Sequence, residues 1–197
     1  MISRQLYMDI AKKYGRVASW AVWDQVGEKP KSNISNMGIF DVSARGEILN
    51  VLRTDIVFVA LNFSRDVEMQ EPFLNFHDAN PYGQDYKLRH ALVGTDFYGA
   101  YMTDLVKDFP QILSKDVMKH LKENPCEIMK QIDSFKDEMK FIGAEKPTIL
   151  ALGRNVYDLL KRHLDESYYS NLISLMHYSH QISKEKYRDE LHKKLGL

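Results

Sequence analysis

The sequence predicts a single α/β domain spanning residues 1–197: a three-layer α/β/α sandwich around a central, mostly parallel, four-stranded sheet. Three observations lead there. Within "DIVFVALNFS" the run Ile56 to Leu61 is continuously apolar, as in a strand buried on both faces. Strand-like and helix-like segments then alternate to the end of the chain, the pattern of a parallel sheet covered on both sides. No internal repeat, low-complexity tract or second-domain linker interrupts them, and 197 residues can close a real hydrophobic core.

Each element has its own justification. "RQLYMDIAKKY" places Leu6, Ile10 and Ala11 on one helical face, and Gly15 ends that helix. "VASWAVWD" has β-branched and aromatic character, and residues 27–38, rich in Gly, Pro, Ser and Asn, read as a loop. After the strand at Ile56 comes a long polar and aromatic stretch, Arg65 to Gly83, of a length that is uncommon unless functional. "DYKLRHAL" is helical and "GAYMTDLVK" a second, less regular strand. Ser114 to Ile142 fits two helices divided near "NPC", because Pro125 suits a first turn and not a helix interior. "PTILALG" is a third strand, "RNVYDLLKRHL" its helix and "LISLMHYS" a fourth strand. "SKEKYRDELHKKL" closes the chain as a helix with Ser183 as N-cap. The four strands are expected to end near Leu61, Asp104, Gly153 and His177.

Composition narrows the function. Lys plus Arg equals Asp plus Glu, 27 each, which removes a global electrostatic case for nucleic-acid binding. A local patch remains: Lys184, Lys186, Arg188, Lys193 and Lys194, although a solvated helix face would look the same. Cys126 is the single cysteine, so internal disulfides and cysteine-ligated clusters are excluded. No apolar run nears the ~20 residues that span a bilayer. The first residues lack a signal peptide's hydrophobic core, so we expect a cytoplasmic protein without membrane contact.

In parallel α/β sheets the sites lie beyond the carboxyl ends of the strands. Here those ends carry "LNFS", "TD", "GRN" and "HYSH". His177 and His180 invite a metal reading with Asp104 or His77 as further ligands, but no HExxH motif or cysteine pair supports it. There is no GxSxG elbow for a serine nucleophile and no phosphate-loop lysine after "ALG". His177 alone could equally be a histidine hydrogen-bonded at a strand end.

Taken in order, the four strand ends resemble the uracil-DNA glycosylase superfamily. "ALNFS" is similar to its first motif, G-x-N/D-P, with Asn62 at the catalytic position. "YMTDLVK", Tyr101 to Lys107, resembles "YITNxVK" with Asp104 where a base-reading Asn stands. Pro147 to Gly153 and Leu159-Leu160 match its third strand and helix, and "HYSHQIS" keeps His177 and Ser179 in step with its "HPS". The resemblance runs from about Ile56 to the C-terminus. Ala60 replaces the motif glycine, Phe63 the first proline and Tyr178 the second, while Asp104 replaces an amide.

The resemblance implies a glycosylase hydrolysing the N-glycosidic bond of an altered, deaminated base in DNA. The alternative is a non-catalytic protein of the same fold that binds a nucleobase, nucleotide or nucleic acid. Asn62 would orient the attacking water and His177 would donate to the departing base, whose charge the site must stabilise. Phe76, Phe63 and Asp104 would hold the flipped base. Phe73 and Phe76 could also be plain core residues, and Asp104 could pair with Arg89, Arg154 or a lysine. Ser64, Tyr178, Ser179, His180 and Ser183 would grip phosphate. No cofactor or metal is expected, the partner is DNA or a nucleobase-containing ligand, and we expect a monomer.

Overall fold

The computed structural model describes residues 1–24, 37–62, 71–77 and 83–197. Six α-helices and five strands are formed among these residues, in the order α1 (Arg4–Tyr14), β1 (Ala18–Trp20), β2 (Arg53–Asn62), α2 (Asp85–Leu92), β3 (Ala100–Val106), α3 (Ser114–Glu123), α4 (Pro125–Phe141), β4 (Thr148–Leu152), α5 (Arg154–His163), β5 (Asn171–Leu175) and α6 (Lys184–Leu195). No helix among the described residues is long and apolar enough to cross a membrane.

The sheet order is β1-β3-β2-β4-β5, with β3, β2, β4 and β5 mutually parallel. The four expected strands are therefore present, and "PTILALG" and "LISLMHY" lie side by side through Leu150↔Ile173 and its neighbours. The expected total was wrong by one. "VASWAVWD" supplies a fifth strand, β1, antiparallel to β3 through Ala18↔Thr103 and Trp20↔Tyr101. Three residues are too few for a period-2 pattern to show, and all three are buried, so only β-branched and aromatic flavour marks them.

Period-2 alternation divides the core. Val57, Val59, Leu61 and Tyr101 face a layer holding Ile10 of α1, Val117 of α3, Phe135 of α4 and Leu160 of α5. Ile56, Phe58, Ala60 and Met102 face Leu88 and Leu92 of α2 and Tyr187 and Leu191 of α6. Both faces of β2 are covered, which is why its sequence is apolar without interruption. In α1 the buried stripe is Tyr7, Ile10 and Tyr14, with Leu6 and Ala11 flanking it half-buried. Pro125 opens α4 in its first turn, as its missing N–H allows, and Ser183 caps α6 by accepting from the Lys186 N–H at 3.2 Å.

Strand β2 lies between β3 and β4, and the chain leaves it for β3 on one side and later returns to place β4 on the other. A crevice opens at the carboxyl end of β2, between the ends of β3 and β4.

Candidate functional site

That crevice is a cavity of about 470 Å³. Its walls come from the ends of four strands: Ala60 to Asn62 from β2, Asp104 from β3, Leu152 and Gly153 from β4, and His177 to His180 beyond β5. Asn75 and Phe76 close it from the segment 71–77, Ile112 from the loop before α3 and Ser114 from its first residue. Asn62, Phe76, Asp104 and His177, four residues far apart in sequence, thus share one pocket.

The histidine is set in one tautomer. The backbone N–H of Ser179 points at Nδ1 of His177 at 3.2 Å, and Oγ of Ser179 lies 2.8 Å from the same nitrogen. Nδ1 must accept, so the neutral ring carries its proton on Nε2 and can donate from there. The half-buried ring loses solvent against the cavity wall, and this and the neighbouring His180 lower its pKa to about 4, which keeps the ring neutral at pH 7. Tyr178 stacks against the imidazole with ring centroids 4.4 Å apart, so the residue that replaces a proline in the resemblance braces the histidine.

Asn62 donates from Nδ2 to the carbonyl of Gln111 at 2.7 Å, which ties the end of β2 to the loop before α3. Asp104 is 2% exposed. Neither Arg89 nor Arg154 salt-bridges it: Arg154 pairs with Asp158, and Lys107 gives its ammonium to the Asp104 backbone carbonyl and to Glu138. The side-chain partner of Asp104 is Asn75, whose Nδ2 donates to Oδ2 at 2.7 Å. Burial pushes the Asp104 pKa up to about 7, against the lowering effect of Asn75 and Lys107.

Period-2 alternation sorts the motif "YMTDLVK". Tyr101 and Thr103 both donate to Oε1 of the fully buried Glu138 on α4, at 2.8 and 2.9 Å, and Lys107 pairs with Oε2 at 2.9 Å. Those three residues anchor a helix. Asp104, on the opposite face of β3, is the one that borders the cavity.

The two phenylalanines of "EPFLNFHD" part ways. Phe73 is fully buried among Tyr7, Trp20 and Phe40, a core residue and nothing else. Phe76 is 9% exposed and belongs both to the α2/α6 core and to the cavity wall. Each has φ near +70°, a conformation bulky side chains rarely take, and a clamp of hydrogen bonds holds them there. Phe73 N–H reaches Gly15 O at 2.6 Å, Ser19 Oγ donates to Phe73 O, and Asn75 donates to Val17 O.

Of the expected phosphate loop, Tyr178, Ser179 and His180 line the cavity, whereas Ser183 sits beyond it and is occupied as the cap of α6. Phe63 and Ser64 lie outside the described residues. Among the described residues no three His, Cys, Asp or Glu side chains gather as a metal site. Sequence reasoning missed Asn75, whose partner lies 29 residues away. It also missed Lys87, which is 2% exposed yet donates to the His180 carbonyl at 2.5 Å from within α2. Lys87 reads as one polar residue in an amphipathic helix, and nothing local marks its reach. Comparison of the chain with protein-family models, with curated proteins and with solved structures returns no match.

Proposed function

We propose that this protein is a DNA glycosylase of the uracil-DNA glycosylase type, cleaving the N-glycosidic bond of a deaminated base turned out of the strand. The observation that carries the reading is the convergence of Asn62 and a neutral His177 on one cavity bordered by Phe76 and Asp104. Base loss places positive charge on the sugar and negative charge on the leaving base. A neutral Nε2–H is suited to that task, because it donates to the base oxygen as charge builds there without a charge of its own to desolvate beforehand. Asn62 orients a water toward the sugar carbon. An amide cannot remove the water's proton, so turnover is slow relative to an enzyme with a carboxylate there. Water adds to the sugar carbon as the bond to the base breaks, the base leaves with the bonding electron pair, and the proton lost by the added water passes through solvent to the departed base anion.

Phe76 offers a flat wall for the extruded base, an interaction worth ~1–3 kcal/mol per base. The first residues of α5, where Gly153 provides no side-chain cap, line the same cavity as Ser179, and a helix N-terminus there suits a strand's phosphate. A second reading, binding without cleavage, is favoured by one detail: the Asn62 amide nitrogen is committed to the Gln111 carbonyl. Gel assays on oligonucleotides carrying uracil, hypoxanthine or xanthine separate the two. Strand scission after alkali, lost in Asn62→Ala, supports cleavage; base-selective retention without scission supports binding alone.

A further inference from the structure

We propose that Asp104 works in the pocket as a carboxylic acid whose proton Asn75 fixes on Oδ1, and that this hydroxyl selects bases presenting a carbonyl over bases presenting an amine at the same place. The inference rests on the nucleobase reading given above and names what the pocket discriminates.

The position of the proton follows from hydrogen-bond geometry. The Asn75 amide lies 2.7 Å from the Val17 carbonyl oxygen, which can only accept, so the atom facing it is Nδ2. The same nitrogen donates its second hydrogen to Asp104 Oδ2, also at 2.7 Å. Oδ2 is therefore an acceptor, and a proton on it would confront an N–H. Oδ1 has no hydrogen-bond partner among the described residues, and it belongs to a side chain that borders the cavity. A proton on Asp104 belongs there.

The surroundings favour that proton. Lys107, the cation that acts on Asp104, spends its ammonium on the Asp104 main-chain carbonyl and on Glu138, whose own negative charge works against ionising Asp104. Arg154, on the cavity wall, is paired with Asp158. His177 is neutral, and His180 stands beyond it on the same wall. A buried carboxylate would have one hydrogen-bond donor, the Asn75 amide, and the attraction of Lys107 offset by Glu138, and burial raises its pKa to about 7.

Deamination converts an exocyclic amine, a donor, into a carbonyl, an acceptor. A pocket hydroxyl donates to the carbonyl and meets the amine donor to donor. Once ionised, Asp104 accepts only, so the preference reverses. Selectivity for a deaminated base over its parent is then a property of the acid form, and it fades as pH rises past neutrality.

The test uses the full chain and labelled single strands that differ in one base, uracil or cytosine. A 2′-fluorine on the target sugar opposes cationic character at the sugar carbon, so that equilibrium binding is read. Between about pH 6 and about pH 8 the uracil-over-cytosine preference should fall about tenfold in the wild type. Asp104→Asn should keep one preference at both pH values, and Asn75→Leu should lose the preference at the acid end. Alongside, carbon-13 titration of side-chain carboxyls should show one group titrating near neutrality that is missing from Asp104→Asn. An Asp104 that titrates in the ordinary carboxylate range overturns the proposal, as does a pH-dependent preference that survives Asp104→Asn. A carboxyl that titrates near neutrality in a protein indifferent to the base at either pH removes the nucleobase reading itself, and this recognition with it.

Discussion

His77 and His177 are both held neutral, and both oppose Asp104 in how stability follows pH. His77 is buried with Nε2–H on the Trp20 carbonyl at 3.2 Å, and burial lowers its pKa from 6.5 to about 4. Between those values the unfolded chain binds the proton and the folded chain does not, so stability falls as pH drops from 6.5 toward 4. Asp104 has the opposite sign: its folded value near 7 lies above the ordinary 3.8, so its contribution is present at acid pH and is lost as pH rises through 7. For His77 the acid loss is on the order of 3 kcal/mol. Urea unfolding of His77→Phe at about pH 7 and about pH 4.5 should show the stability difference between them shrinking by roughly 2–3 kcal/mol relative to wild type. An undiminished difference would assign the acid sensitivity elsewhere. Gly153 carries a second prediction at this scale. Its φ of +110° with ψ of 155° is open to glycine and few others, and it turns the chain from β4 into α5 at the cavity wall. Gly153→Ala should lose ~1–3 kcal/mol in urea unfolding, although a methyl there would meet His177 Cβ only at an ordinary 3.9 Å. Wild-type stability would mean that this backbone relaxes freely.

At the scale of elements, β3 has two separate tasks. One face holds α4 through Glu138, the other presents Asp104. Glu138→Gln leaves the Lys107 ammonium, 8% exposed, without its counter-ion. It should destabilise by ~3 kcal/mol, read by urea unfolding, because an unmatched buried charge is costly. A smaller loss would mean that Lys107 finds water. The elements themselves were largely legible: a continuous apolar run gave β2, Pro125 divided α3 from α4, and Ser183 opened α6. What was not legible shares one physical cause, dependence on distant partners. Strand β1 is too short for periodicity, and its pairing with β3 decides it. The segment 71–77 takes its shape from bonds to Gly15, Val17 and Ser19, and Gly15 leaves no room for a Cβ, which would lie 2.6 Å from Pro72 Cβ. For the same reason Asn62, Asp104 and His177 could be marked at strand ends, where topology collects residues. Asn75 and Lys87 could not, because their roles arise from tertiary contacts.

For the whole molecule, balanced charge sets the expected strength of any encounter with nucleic acid. The 27 basic residues offset 27 acidic ones, so attraction to a phosphate strand relies on the local cations of α6 and the polar loop before it. Titration of labelled DNA should show weak affinity that drops further between low and moderate salt, and affinity indifferent to salt would contradict this. The crevice beside β2 is where the sheet brings the Asn62 amide and the neutral His177 imidazole to one space. The most direct test of that pairing is base excision from a uracil-containing single strand at about pH 6, below the Asp104 pKa of about 7, by wild type, Asn62→Ala and His177→Ala. We predict slow excision by the wild type and a loss of ~10²-fold or more in either variant, the scale on which removing one transition-state donor acts. Excision that persists in both variants, or none by the wild type on any deaminated base, would contradict the account.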